Sequence, residues 1–287
     1  MKVRLWGTRG SVASPGADTA RYGGNTSCVE VCGAGDVMVI LDAGTGIRPL
    51  GASLPPHVRT VHILLSHLHM DHIQGLGFFK PLFDPEVETH LWGPAIGHDD
   101  LRRRLVRYLS PPLFPVHLRD LPRCKLHDLP AEPFQVGDLR VTAERVCHPG
   151  HTVGFRIEQN GNSMAYLSDH EPALGAPGFP LSEEWTSGYA IAKDVDLLIH
   201  DAQYSLDEYA HHVGWGHSAL DHALAFAKLV RARRLVTFHH DPSHSDDDVD
   251  RLTAAAIAVC KPPFAVLSGA EGAVFDLARV APTSPRR

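Results

Sequence analysis

Residues 2–6, KVRLW, alternate polar and apolar side chains, the period of a half-buried strand. Glycine-rich and polar turns follow, GTRGS and RYGGNTS. CVEVC (28–32) and VMVILDAG (37–44) then read as a hairpin pair. TVHILLSH (60–67) is apolar enough for a strand covered on both faces. From Asp71 the pattern turns helical, DHIQGLGFFKPLF. Residues 94–109 predict a basic helix, and the proline-rich SPPLFPVHLRDLP (110–122) a connecting loop.

The second half repeats the alternation. LRVTAERV, VGFRIEQ, SMAYLSD, DVDLLIHDA, RLVTFHH and FAVLSG read as strands, and residues 217–231 and 245–259 as helices. In SDDDVDRL, Ser245 can cap a helix whose first turn is acidic, so the acids fit a helix start better than a metal box. Two sheets packed together with helices outside would accommodate both halves. No composition break marks a linker, so one domain is expected over residues 1–280, with a frayed tail at 281–287.

Composition narrows the function. The chain has 287 residues, 44% hydrophobic and 21% charged, as expected of an ordinary globular protein. A net charge of -6 gives no general attraction to nucleic acid or anionic membrane, although Arg102, Arg103, Arg104 and Arg107 form a local basic patch. The N-terminus lacks the apolar core of a signal peptide, and no run reaches the length of a membrane helix. Five cysteines without a C-x-x-C pair fit a reduced, cytoplasmic protein. Cys28 and Cys32 would share a strand face; zinc there needs further ligands that cannot be placed, and burial is the simpler reading. Twenty histidines point the search toward a metal site.

The densest candidate chemistry is His67, His69, Asp71 and His72, within six positions after an apolar run. His67 and His69 are two apart, so in extended backbone they point the same way. Asp71 and His72 fall at the turn into a helix and can face a second point. A single ion would not need both pairs from so short a run; two adjacent ions would. Further ligands should also follow strands, and His148, Asp169, His200 with Asp201, and His239 with His240 all do.

Taken together, these residues resemble the metallo-β-lactamase fold hydrolases, in particular the branch of RNase Z-like enzymes and cyclic-nucleotide phosphodiesterases. The motif H-x-H-x-D-H stands at His67–His72, the early Asp at Asp42 in LDAGTG, and the third-motif His at His148 in HPGHTVGFRIE. YLSD carries Asp169, while LLIHDAQY, GHSALDHALAFA and LVTFHHDP resemble later segments. The resemblance implies an α/β fold, a four-layer αββα sandwich of two mixed sheets with outer helices. It implies that His67, His69 and His148 hold one divalent metal ion, that Asp71, His72 and His239 hold another, and that Asp169 bridges them. Asp42 would orient a ligand histidine. His240 is the runner-up to His239, and His151 the rival to His148.

All-nitrogen and oxygen ligation suits zinc first, with manganese or iron as alternatives. Two close divalent ions lower the pKa of a bridging water and neutralise charge on a phosphate. His217 is the candidate general acid, oriented by Asp201; the branch usually has Glu at the latter position. Asn25, Thr26 and Ser27 are candidate phosphate contacts, or a tight turn. Phe78, Phe79, Phe114 and Trp215 could stack a base, or fill the core.

His148 and Asp169 are only 21 positions apart, which leaves no room for the RNA-gripping arm that the transfer-RNA endonucleases of this branch insert there. The expected substrate is therefore a small phosphodiester, a 3′,5′-cyclic nucleotide such as cAMP or cGMP, with no membrane partner, large RNA disfavoured and a homodimer left open. The alternatives are an RNase Z-like endonuclease and a non-catalytic metal-binding sensor.

Overall fold

The computed structural model describes residues 1–277 apart from 34–36, 96–99, 175–178, 180–181 and 184. The expected tail, 281–287, lies outside the described residues. Six strands come first: β1 (Lys2–Gly7), β2 (Cys28–Cys32), β3 (Val37–Leu41), β4 (Thr60–Leu64), β5 (Glu88–Gly93) and β6 (Cys124–Asp128). Seven more follow: β7 (Phe134–Val136), β8 (Leu139–Arg145), β9 (Val153–Gln159), β10 (Asn162–Leu167), β11 (Leu197–Asp201), β12 (Arg234–Phe238) and β13 (Ala265–Ser268). The last, β14 (Val274–Asp276), returns to β1.

The strands form two seven-stranded sheets, β14-β1-β2-β3-β4-β5-β6 and β13-β12-β11-β10-β9-β8-β7. Each is mixed in the same way. In the first, β14, β1, β2 and β3 pair antiparallel and β3 to β6 pair parallel. In the second, β7 to β10 pair antiparallel and β10 to β13 parallel.

Apolar residues alternate across the strands and so build three layers of core. Val3, Leu5, Val31, Leu41 and Leu64 of the first sheet meet Phe155, Ile157, Tyr166, Ile199 and Phe238 of the second. Each fully buried aliphatic or aromatic side chain there contributes about 1.5–3 kcal/mol. On the far side of the first sheet, Ile40, Ile63 and Leu91 pack under α1 (Ile47–Ala52), α2 (Met70–Ile73) and α3 (Leu101–Leu105). Beyond the second sheet, Leu167, Leu198 and Leu235 pack under α4 (Tyr189–Ala192) and, past the short α5 (Leu206–Tyr209), α6 (Leu220–Leu229) and α7 (Asp246–Cys260). The result is the expected four-layer αββα sandwich. Cys28 and Cys32 pack into the outer core of the first sheet.

The differences from the sequence reading are local. The basic helix expected over 94–109 is helical only in α3, and residues 96–99 lie outside the described ones. After α2 the helical pattern breaks into two short turns, Leu76–Phe78 and Lys80–Phe83, because Gly75, Gly77 and Pro81 interrupt it. Ser245 caps α7 as expected, its hydroxyl accepting from the Asp248 N–H at 3.1 Å. No described helix is long and apolar enough to cross a membrane.

Candidate metal centre

β8, β10, β11 and β12 run in one direction in their sheet, and β3 and β4 run parallel in the other. The residues just past their C-terminal ends meet at one edge of the sandwich. Asp42 follows β3, His67 to His72 follow β4, His148 follows β8, Asp169 follows β10, Asp201 ends β11 and His239 follows β12. The two sheets are tied together there: His240 N–H donates to the Thr8 carbonyl at 3.0 Å and Gly10 N–H to the His240 carbonyl at 2.9 Å.

Three groups of donor atoms converge, all within 4.8 Å inside each group: His67, His69, His148 and Asp169; Asp71, His72, Asp169 and His239; and Asp201, His217 and His239. Asp169 belongs to the first two. Its Oδ1 lies 3.0 Å from His72 Nε2, and its Oδ2 lies 3.7 Å from His67 Nε2 and 3.8 Å from His148 Nε2. His239 Nε2 is 3.2 Å from Asp71 Oδ2. Apart from the exposed His69, the members of the first two groups are buried.

Four of the imidazoles, those of His67, His72, His148 and His239, are turned so that one nitrogen is engaged by the fold and the other faces the cluster. His67 Nδ1 meets Ser66 Oγ at 3.0 Å, His72 Nδ1 meets Asp42 Oδ2 at 2.8 Å, His148 Nδ1 meets the Gly216 carbonyl at 2.8 Å, and His239 Nδ1 meets Gln203 Oε1 at 3.0 Å. Holding the proton on Nδ1 leaves Nε2 with a lone pair, the arrangement that ligand histidines require. Among the facing atoms, His67 Nε2, His72 Nε2 and Asp169 Oδ1 are buried and make no hydrogen bond, whereas His148 Nε2 meets His69 Nδ1 at 3.3 Å and His239 Nε2 meets Asp71 Oδ2 at 3.2 Å. His72 Nε2 and Asp169 Oδ1 are close but off the line of a hydrogen bond. A buried donor or acceptor left so costs about 1–3 kcal/mol, and divalent cations are the groups that fit this donor set.

The electrostatics point the same way. Burial holds His67, His69 and His148 below the ordinary imidazole pKa, which favours their neutral forms. Burial disfavours charge on His72 too, but Asp169, Asp71 and Asp42 outweigh it and raise its pKa well above the usual value. That carboxylate field favours positive charge at the point where the second group converges. Asp71 and Asp169 resist ionisation through burial but are held well below the usual carboxylate range by the surrounding imidazoles. For His217, burial again opposes charge, and the Asp201 carboxylate at 2.7 Å outweighs it, raising the pKa to about 9.

The backbone is forced at this edge. Asp42 and His239 have φ of 59° and 60°, a left-handed conformation that costs a non-glycine residue on the order of 1 kcal/mol. Gly216, at φ 92°, lies so close to His148 that a Cβ would sit 2.2 Å from its Nδ1. A Cβ on Gly10 would sit 2.4 Å from His239 Nδ1.

Several expectations change. His240 is not in the cluster; its Nε2 bonds the Gly269 carbonyl at 2.9 Å, because consecutive residues past a strand face opposite ways. His200 likewise turns away, to His170 and Phe226. His151 is outside the three groups. Asn25 donates from Nδ2 to Glu271, and Thr26 and Thr45 exchange backbone-to-hydroxyl bonds, so the first two residues of the expected phosphate contact are committed to a turn; Ser27 is fully buried beside them. Phe79 is core, with no exposed surface, whereas Phe78 is 64% exposed. The sequence reading missed Ser66, Gln203, Glu171 and the backbone N–H of Ser11, which donates to Asp71 Oδ2 at 2.9 Å. Ser66 precedes the motif and Gln203 follows Asp201 by two positions, so both neighbours carried a signal; Ser11 acts through its backbone and left none.

Residues 38–240 match the family model described as "Beta-lactamase superfamily domain". The chain belongs to this family, in its metallo-β-lactamase form, and is a metal-dependent hydrolase. It is 23% identical to a ribonuclease Z from Natronomonas pharaonis over 86% of this chain and 89% of that protein. The fold matches the metallo-β-lactamase fold protein YhfI from Bacillus subtilis, with TM-score 0.67, 22% identity, and 96% and 98% of the two chains covered. It also matches a diphosphatase from the PhnP family, with TM-score 0.69, 18% identity and the same coverage. The His/Asp clusters are suited to divalent metal.

Proposed function

We propose that the chain is a dinuclear phosphodiesterase of small phosphodiesters, with 3′,5′-cyclic nucleotides as the leading substrates. His67, His69 and His148 would hold one ion, Asp71, His72 and His239 the other, and Asp169 would be shared; zinc suits the set, with manganese or iron as alternatives. The observation that carries this reading is the placement of Asp169 between the two histidine groups, its Oδ1 3.0 Å from His72 Nε2 and its Oδ2 within 4 Å of His67 and His148 on one side and of His239 on the other. Two divalent ions held there supply charge neutralisation for a phosphate and an acidified water for attack.

The chain's own residues supply the rest. Asp201 accepts from His217 Nδ1 at 2.7 Å, and its other oxygen accepts from the N–H groups of Gln203 and Ser218, at 3.0 and 3.2 Å. The ring is therefore fixed with Nε2 free to deliver a proton to the departing alkoxide. Asp201 thus bonds His217 directly, although it is one methylene shorter than the Glu of the branch. Gln203 joins this pair to the other end of the site, holding His239 and Asp241 at 3.0 Å each.

Substrate size follows from the short interval between His148 and Asp169 and from the acidic balance of the chain, which does not favour a long phosphate backbone. A second reading, an RNA-processing endonuclease, is favoured by the name of the Natronomonas relative. A metal-replete activity panel separates them: bis-aryl phosphodiester, cAMP, cGMP, 2′,3′-cyclic nucleotides, precursor transfer RNA and a β-lactam. Turnover of cyclic nucleotides that is lost in Asp169→Ala is the expected result; cleavage of precursor transfer RNA alone selects the second reading.

A further inference from the structure

Met70 stands between two of the clustered residues, His69 and Asp71, and its side chain is 51% exposed. It forms a wall shared by two adjoining hollows. The first, of about 390 Å³, is lined by Thr45 and Arg48 from the start of α1, Met70, Gln74 and Phe78 along and beyond α2, and the ring-bearing segment Tyr108–Phe114. The second, of about 470 Å³, continues past Met70 to Leu68, Arg104 and Arg107. Both volumes are in the range of small-molecule sites and too small for a nucleic-acid duplex.

The walls of the first hollow are built to present flat apolar surface. The Phe114 ring lies against Gly77, where a Cβ would come within 2.4 Å of it, and meets Phe78 edge to face at 6.2 Å. Tyr108 is pinned by its hydroxyl to the Gln74 carbonyl at 2.6 Å. These rings are held in place, while Phe78 itself remains 64% exposed on one side of the hollow. Among the described lining residues of both hollows there are three guanidinium groups and no carboxylate, in a chain whose net charge is -6. Arg48 lines the first hollow and Arg104 and Arg107 the second, where Arg104 also donates to the Pro94 carbonyl at 2.6 Å; the first hollow therefore combines flat apolar walls with one guanidinium.

We infer that the first hollow binds the purine base of a nucleoside phosphate ester, stacked against Phe78 and Met70 with its phosphate directed to the histidine and aspartate cluster. Purine is favoured over pyrimidine because Arg48 and Gln74 line the hollow. Arginine pairs with the O6 and N7 edge of guanine, and glutamine with the N6 and N7 edge of adenine. The inference rests on the phosphodiesterase reading for its orientation, and it deepens that reading by naming the ester arm that is recognised.

The test is calorimetric titration of the metal-loaded protein with guanosine, adenosine and cytidine 5′-monophosphates and with ribose 5-phosphate. The purine nucleotides should bind at least tenfold more tightly than ribose 5-phosphate, with the cytidine nucleotide between. Phe78→Ala should lose about ten- to hundredfold of purine affinity, the range that base stacking on an aromatic ring supplies. Phe78 is exposed, so the variant should fold, and Arg48→Met, also at an exposed position, should reduce guanosine nucleotide affinity on its own. Equal binding of ribose 5-phosphate, or an unchanged purine preference in Phe78→Ala, overturns the hollow as a base site. Equal binding of the cytidine nucleotide overturns the purine assignment. Self-association that Phe78→Ala abolishes, without nucleotide binding, assigns the surface to a second copy of the chain instead. Failure of the phosphodiesterase reading shows separately, as absence of turnover of methyl 4-nitrophenyl phosphate by the wild-type protein.

Discussion

Glu171 accepts the backbone N–H of Gly216 at 2.7 Å, and the carbonyl of that same Gly216 accepts the Nδ1 proton of His148 at 2.8 Å. The carboxylate also takes the Gly214 N–H at 2.8 Å and the Tyr209 hydroxyl at 2.9 Å, and it is 1% exposed. A buried acidic group two positions after Asp169 therefore shapes the loop that orients a candidate ligand from another strand. Glu171→Gln offers one acceptor oxygen fewer and turns an amide N–H toward a donor. Affinity for one of the two proposed divalent ions is expected to fall about 10- to 100-fold, as when the partners of ligand histidines are removed. Metal titration of the apo protein checks this. Unchanged affinity for both ions would show that the loop holds His148 without the carboxylate.

Asp42 is a second such keystone. It accepts from Ser66 N and Oγ, at 2.7 and 2.8 Å, from His72 Nδ1 at 2.8 Å and from the Tyr166 hydroxyl at 2.9 Å, with no exposed surface. Asp42→Ala leaves all four donors buried without an acceptor. A loss of about 3–5 kcal/mol is expected even in the metal-free protein, measured by denaturant unfolding. A loss below about 1 kcal/mol would mean that water replaces the carboxylate.

His217 and Asp201 also belong, with His239, to the third group of converging donors, so acid and ligand are alternative roles for His217. The acid role gives a specific pattern. His217→Ala should keep both ions and lose about 10²- to 10⁴-fold in kcat on alkyl phosphodiesters, and much less on those with a 4-nitrophenolate leaving group. Equal losses on both substrates, together with loss of an ion, would make His217 a ligand.

Stability should depend on pH through histidines outside the cluster. His200 and His240 are fully enclosed, and burial lowers each pKa from 6.5 to about 4. The unfolded chain therefore binds protons below pH 6.5 that the folded chain does not. Stability is intact above about pH 6.5 and falls as the pH drops toward 4, by about 3 kcal/mol for each group. Denaturant unfolding of the metal-free protein between pH 7.5 and 4.5 checks this, and His200→Gln should flatten the dependence. An unchanged slope in that variant would remove His200 from the account.

The parts of the site that could be read from the sequence are those whose chemistry is carried by local spacing. His67 to His72 lie within six positions, extended at first and then entering α2, so two facing pairs followed from strand and helix geometry alone. His148, Asp169 and His239 were recognisable because each follows a strand, and the sheet order then gathers them. His239 was preferred to His240 because it directly ends its strand, and the left-handed turn at His239 has no counterpart in composition. Glu171 and the Ser11 N–H were out of reach because their role is set by loops meeting across the fold. The two sheets were legible from alternation, whereas β5 and β6 carry too many polar residues to announce themselves, β7 and β14 are only three residues long, and the helix expected over 94–109 is helical only in α3 among the described residues.

Metal stoichiometry tests the central claim most directly. Equilibrium dialysis of the apo protein against zinc or manganese, followed by elemental analysis, should find two ions per folded chain, and Asp169→Ala should retain at most one. A wild-type plateau at one ion, or two ions retained in Asp169→Ala, would contradict a site in which Asp169 joins two metals.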